Sequence, residues 1–162
     1  MVGVAHAILE AGVLAVSLSL ACHQNGAETA AAERTVEEIQ RSHVEANVPD
    51  RSEFNRLLRR DLEAYFATGS GVGTAVAFEF LREGPTQTGI AFPKYYLWVR
   101  VAGGTRAEER GAVRVAAVEK EKFEVTDFLS EEDIRNDPSS IERVFPAPVC
   151  ERIRAKLQVA GR

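Results

Sequence analysis

A chain of 162 residues is long enough for one domain and too short for two ordinary ones, and its 45% hydrophobic, 27% charged composition is that of a folded globular protein. Its 20 basic and 24 acidic side chains give a net charge of −4, and the bases are interleaved with acids along the chain. That pattern argues against nucleic acid as a partner, because phosphate neutralisation calls for a concentrated basic field. Cys22 and Cys150 form no CxxC or Cys/His spacing, and His6, His23 and His43 all stand in the first third of the chain, so neither a metal nor another cofactor is expected.

Residues 11–21 read AGVLAVSLSLA, an uncharged run too short to span a bilayer as a helix. Its length is that of a signal-peptide core, and the small residue Ala21 precedes Cys22. The stretch Leu18-Ser19-Leu20-Ala21-Cys22 resembles the lipobox of bacterial lipoproteins, a resemblance confined to these residues and the apolar run before them. It implies that Cys22 becomes the lipidated first residue of the mature chain. The protein would then sit in the cell envelope, lipid-anchored or periplasmic to extracellular, and would touch membrane only through that anchor. The alternative reading is a packed helix of a cytoplasmic domain, with Ala11, Leu14, Ala15 and Leu18 as its apolar stripe.

After this 1–22 segment, residues 23–48 read as a polar tether or weak helix. The stretch 23–34 is polar and alanine-rich, and Val36, Ile39 and Val44 are too sparse to define a strong apolar face. His43 is expected to be a solvated side chain.

The folded domain is assigned to 49–162. Asp50 with Glu53 offers a capping box, and Pro49 with Phe54 a staple, at the head of a helix. Phe54, Leu57, Leu58, Leu62, Tyr65 and Phe66 then recur at helical spacing, opposite Arg56, Arg59, Arg60 and Glu63, until Gly69, Gly71 and Gly73 end the run. The arginines could bind an anion or simply form a solvated face.

Strand signals follow. Val76, Phe78 and Phe80 alternate within 74–82. In 95–101 (YYLWVRV), Tyr95, Leu97, Val99 and Val101 share one face, with Tyr96, Trp98 and Arg100 on the other. Residues 112–118 alternate around Arg114, and 123–129 (FEVTDFL) make a fourth strand or the far half of a bent one. Short connections favour an antiparallel meander, with the helix over one face. Towards the C-terminus, Ser130 and Asp133 form a capping box, Asp137-Pro138 restarts a short helix with Pro at its first position, and Pro148 opens the last helix, whose Val149, Ile153 and Leu157 share a face beside Cys150.

The class is thus α+β: one long helix packed on a four-stranded antiparallel meander, with short C-terminal helices. By element order this is similar to cystatin-like and NTF2-like α+β folds, which host many functions.

Two places could carry recognition. The loop 84–93 (GPTQTGIAFP) presents Thr86, Gln87 and Thr88, and either offers a contact surface or folds Ile90 and Phe92 over the open end of the core. The strand face with Tyr96, Trp98 and Arg100, beside Glu79 and Arg114, is either an interface patch or ordinary cross-strand packing with an arginine paired to Glu79. No nucleophile triad, phosphate loop or nucleotide fingerprint is present; Gly69-Ser70-Gly71-Val72-Gly73 lacks the following helix and lysine. The reading is a non-enzymatic domain that binds an unidentified protein or small ligand. Its alternative, implied by the NTF2-like resemblance, is a small pocket enzyme using Asp127 with Tyr95 or Tyr96 in an enclosed apolar cavity.

Overall fold

The computed structural model describes residues 29, 32–67, 73–103 and 108–159. The chain divides into two units, Met1–Arg41 and Ser42–Arg162. In the first, 32–41 is helical and exposes Val36 and Ile39, as expected where apolar residues fall too thinly to make a face. Cys22, His6, His23, the apolar run and Gly69 to Val72 lie outside the described residues.

Two helices precede the sheet, α1 (32–47) and α2 (Arg51–Ala67), where one long helix is expected from sequence. Alanine and glutamate supply the helix propensity of α1 in a stretch with no strong stripe. Strands β1 (Ala75–Phe80), β2 (Lys94–Ala102), β3 (Glu109–Val118) and β4 (Lys122–Ser130) then form a single antiparallel sheet in sequence order, followed by α3 (Glu131–Asn136), α4 (Ser140–Val144) and α5 (Ala147–Val159).

Phe123–Leu129 therefore belongs to a separate strand. The turn that creates it holds Glu119 and Lys120 at positive φ (51° and 60°), with Glu121 N donating to Val118 O at 3.1 Å. Left-handed backbone is unfavourable for such side chains, so something must hold it. Asn47, at the end of α1, does: its Oδ1 accepts from Glu119 N at 3.1 Å and its carbonyl accepts from Lys120 N at 2.8 Å. Asn47 is buried. Its replacement by alanine removes the bond to the Glu119 amide and should cost about 0.5–1.5 kcal/mol, read from the denaturant midpoint; a loss below a few tenths would show that the turn holds itself.

The α2 face of the sheet carries the first core. Leu57, Leu58 and Leu62 of α2 meet Val76, Tyr95, Leu97, Val99, Val113, Val115 and Phe123. Phe54 links helix to sheet by edge-on contacts to Tyr95 and Phe123, with ring centroids 5.0 and 4.9 Å apart. Burial pushes the Tyr95 phenol up to about 12. Asp61 ties α2 to β4 by accepting from Phe123 N at 2.7 Å.

The opposite face is covered as well. Ile134, Ile141, Phe145, Val149, Cys150 and Ile153 from α3 to α5 close over Tyr96, Trp98 and Ala112 in a second core. The sheet is therefore the middle of three layers. The Ser130–Asp133 capping box forms, with Asp133 N donating to Ser130 Oγ at 3.0 Å. Asp137-Pro138 opens the next turn, with Ser139 N donating to Asp137 Oδ1 at 3.1 Å and Ser140 N to Asp137 O at 3.0 Å, but the regular helix α4 begins two residues later, at Ser140.

Candidate contact surface

The loop after β1 is organised by its own polar groups. Arg82 Nη1 donates to Pro85 O at 2.9 Å, closing the first bend. Thr86 and Lys94 then exchange both backbone bonds, at 2.8 and 2.9 Å, and Thr86 Oγ1 lies 2.7 Å from the Tyr96 hydroxyl. Gln87 Nε2 donates to Gly89 O at 3.0 Å and Ala91 O at 2.5 Å, so the tip 88–91 folds around one amide side chain. Ala91 N returns to Thr88 O at 3.1 Å, with Gly89 at φ 55°.

A second element holds the tip from outside. His43 Nε2 lies 2.8 Å from Ile90 O, and its ring stacks on Phe92 with centroids 6.3 Å apart and 16° between planes. A carbonyl can only accept, so Nε2 carries the proton and Nδ1 is free to accept from Asn47 Nδ2 at 3.3 Å. His43 is half-buried and bonded, not the solvated side chain expected from sequence. The signal for it was present: His43 and Asn47 stand four apart, on one face of a helix, in a stretch otherwise of alanine and charge.

The result is an apolar tip on a fixed base. Ile90 is 87% exposed and Phe92 41%, so neither is folded into the core. Of the polar residues singled out from sequence, Thr86 and Gln87 are half-buried and serve the loop's internal bonds, whereas Thr88 is exposed beside the tip. A loop already held in one shape loses little conformational entropy on binding.

The second candidate face does not survive as a surface. Tyr96 and Trp98 are only 5% and 8% exposed, because α3 to α5 pack over them. Arg100 alone of that trio is exposed, with Glu108 3.9 Å away. Glu79 pairs with Lys156 of α5 and with neither Arg100 nor Arg114. Arg114 instead donates through Nε to Asp127 Oδ2 at 2.6 Å, with Nη2 2.5 Å from the same oxygen, and through Nη1 to Val144 O at 2.9 Å. That side chain locks α4 to the sheet.

The same bonds bear on the pocket chemistry. Asp127 is held by Arg114, which stands between it and Tyr96 in the strand register, while Tyr95 lies in the core on the other face. These groups do not converge. Concave regions among the described residues are open to solvent: about 730 Å³ beside Glu109, Arg110, Glu131 and Arg135, about 500 Å³ beside Arg56, Arg59, Arg60 and Glu63, and about 340 Å³ beside Glu79, Trp98, Arg100 and Arg110.

On α2, Arg56 pairs with Glu53, Arg59 Nη1 donates to Val76 O at 2.8 Å, and Arg60 Nε donates to Asp61 Oδ1 at 2.7 Å. Arg59 and Arg60, which also donates to Glu121 O at 2.9 Å, tie α2 to the sheet, whereas the Arg56 pair is a solvated one on the helix surface. Cys150 is buried, 3.3 Å from Phe145 O and 3.5 Å from Ile141 O, and burial pushes its thiol up despite the opposing charge of Arg154. A disulfide reagent should label Cys150, identified by peptide mass, only when denaturant is present. Rapid labelling in the native state would mean that the C-terminal layer opens readily.

Comparison with protein-family models, with curated proteins and with solved structures finds no match to this chain.

Proposed function

We propose that this protein is an exported or membrane-anchored, non-enzymatic binding domain, held at the envelope through Cys22 and meeting its partner with the tip of the 84–93 loop. The observation that carries the reading is Ile90, an 87% exposed isoleucine fixed in place by Gln87 from within the loop and by His43 from α1. An apolar side chain held out in water on a rigid base costs free energy that burial against a partner recovers. Thr88 and Phe92 extend the same surface, giving it a polar edge and a flat aromatic wall.

The lipobox-like stretch supports the anchored location, and mass analysis of the mature N-terminus tests it. A diacylated or cleaved chain beginning at Cys22 is expected; an intact Met1 in the soluble cytosol would overturn it. For the contact surface, a photo-crosslinking residue placed at Ile90 in cells should yield a discrete adduct with a protein partner. The same residue at exposed Glu132 should not. Equal behaviour at the two positions would remove the loop as the contact.

A further inference from the structure

The two edges of the sheet are built differently. β4 carries Lys122, Glu124 and Asp127, and its register shifts between Arg114 and Val115, leaving Thr126 as an extra residue in a bulge. Charges and bulges of this kind discourage an edge from pairing with another strand. β1 reads AVAFEF: it has one charge, Glu79, no proline and an unbroken register with β2.

The direction of the β1 backbone follows from one bond. Leu81 N donates to Tyr96 O at 2.9 Å, which makes Leu81–Tyr96 a hydrogen-bonded pair. Such pairs alternate along an antiparallel ladder, so Glu79–Trp98 and Ala77–Arg100 bond inward to β2. Val76, Phe78 and Phe80 therefore turn their N–H and C=O groups outward. Arg59 takes up one lone pair of Val76 O; among the described residues no bond engages the outward groups of Phe78 or Phe80. The same residues bear apolar surface, for Phe80 is 44% exposed and Phe78 lies half-buried under the Arg59 guanidinium, 5.5 Å from its ring centre.

We infer that β1 is a dimerisation edge, at which a second copy of this chain adds its own β1 antiparallel about a two-fold axis through Phe78 and extends the four-stranded sheet into one of eight. The strand is complementary to itself in this register. Phe78 meets the partner copy's Phe78, and Val76 meets Phe80 of the other copy, so every outward amide finds a carbonyl and both exposed Phe80 rings are covered. Arg59 need not leave, because a carbonyl oxygen accepts two bonds. On the other face Ala77 meets Glu79, and the one acid of the strand avoids its own copy. Shifting the axis to Glu79 would set two carboxylates opposite each other, and shifting it to Ala77 would leave Phe80 against Thr74, beyond the strand. This pairing is independent of the 84–93 loop.

The test uses the full-length chain with Cys22→Ser, which leaves buried Cys150 as the native thiol. Light scattering should give twice the chain mass at micromolar concentration, and Phe80→Lys should raise the dimer dissociation constant at least about tenfold. Register is read by oxidation. Ala77→Cys mixed with Glu79→Cys should form a disulfide-linked heterodimer, whereas neither alone should, since each residue would then lie more than about 7 Å from its copy. A chain that stays monomeric at about 0.5 mM would overturn the proposal. So would a dimer indifferent to Phe80→Lys, a cross-link formed by either cysteine variant alone, or protection of the β1 amides from exchange only when a different protein is added.

Discussion

Gly111→Ala is expected to destabilise the domain by about 3 kcal/mol or more, beyond the usual cost of one added methyl group. Gly111 lies in β3, an inner strand, with Val99 on one side and Ser130 on the other. A Cβ there would stand 2.3 Å from Leu129 O, 2.6 Å from Phe128 Cε2 and 2.9 Å from Ser130 Cα. Two of those atoms are backbone of the adjoining strand, so no rotamer change relieves the contact; β3 and β4 must part where β4 hands the chain to α3. The demand is for space and not for an unusual dihedral. Chemical denaturation checks the loss, and thermal melting should fall by roughly 10 °C. A change under about 1 kcal/mol would mean that β4 does not approach β3 as closely as the structure has it.

Ile153→Ala is the second large effect, at about 2–5 kcal/mol. The side chain is fully buried in the core beneath α3 to α5, and truncation leaves a cavity that surrounding helices cannot fill without shifting. This core shares its sheet with the core under α2, so the two should melt together. Trp98 is the chain's one tryptophan and lies in the Ile153 layer, so its fluorescence reports that side while far-ultraviolet dichroism reports the whole. Coincident transitions at lower denaturant are expected. A loss below about 1 kcal/mol, or a fluorescence change that precedes the dichroism, would show the C-terminal layer to be an appendage. Ile153→Val, which removes one methylene, should cost only about 0.5–1.5 kcal/mol.

Much of this architecture was legible in the residues. The 3.6-residue recurrence of Leu58, Leu62 and Phe66 marks α2, alternation marks the strands, and Ser130 with Asp133 forms the cap it spells. The covering of the second face leaves a more ambiguous mark. Tyr95 to Val99 is an unbroken run of large apolar residues, the mark of a strand buried on both sides, and an aromatic pair on the second face looks the same whether a helix or a partner covers it. In the 84–93 loop the polar run Thr86, Gln87 and Thr88 is the plainer sequence signal, yet Thr86 and Gln87 turn inward and the large side chains held out in solvent are Ile90 and Phe92.

From the sequence by itself come α2, the strands, the C-terminal helices, their order and the antiparallel meander, because period, turn residues and short connections are local properties of the chain; α1, which has no apolar stripe, left only a weak mark. Which faces meet was decided only in three dimensions. Whether Tyr96 and Trp98 see water depends on where α3 to α5 land, and whether Ile90 is held outward depends on His43, 47 residues away along the chain. Burial is a property of what covers a residue, and the covering groups here are distant in sequence, so hydropathy alone could not distinguish a packed face from an exposed one.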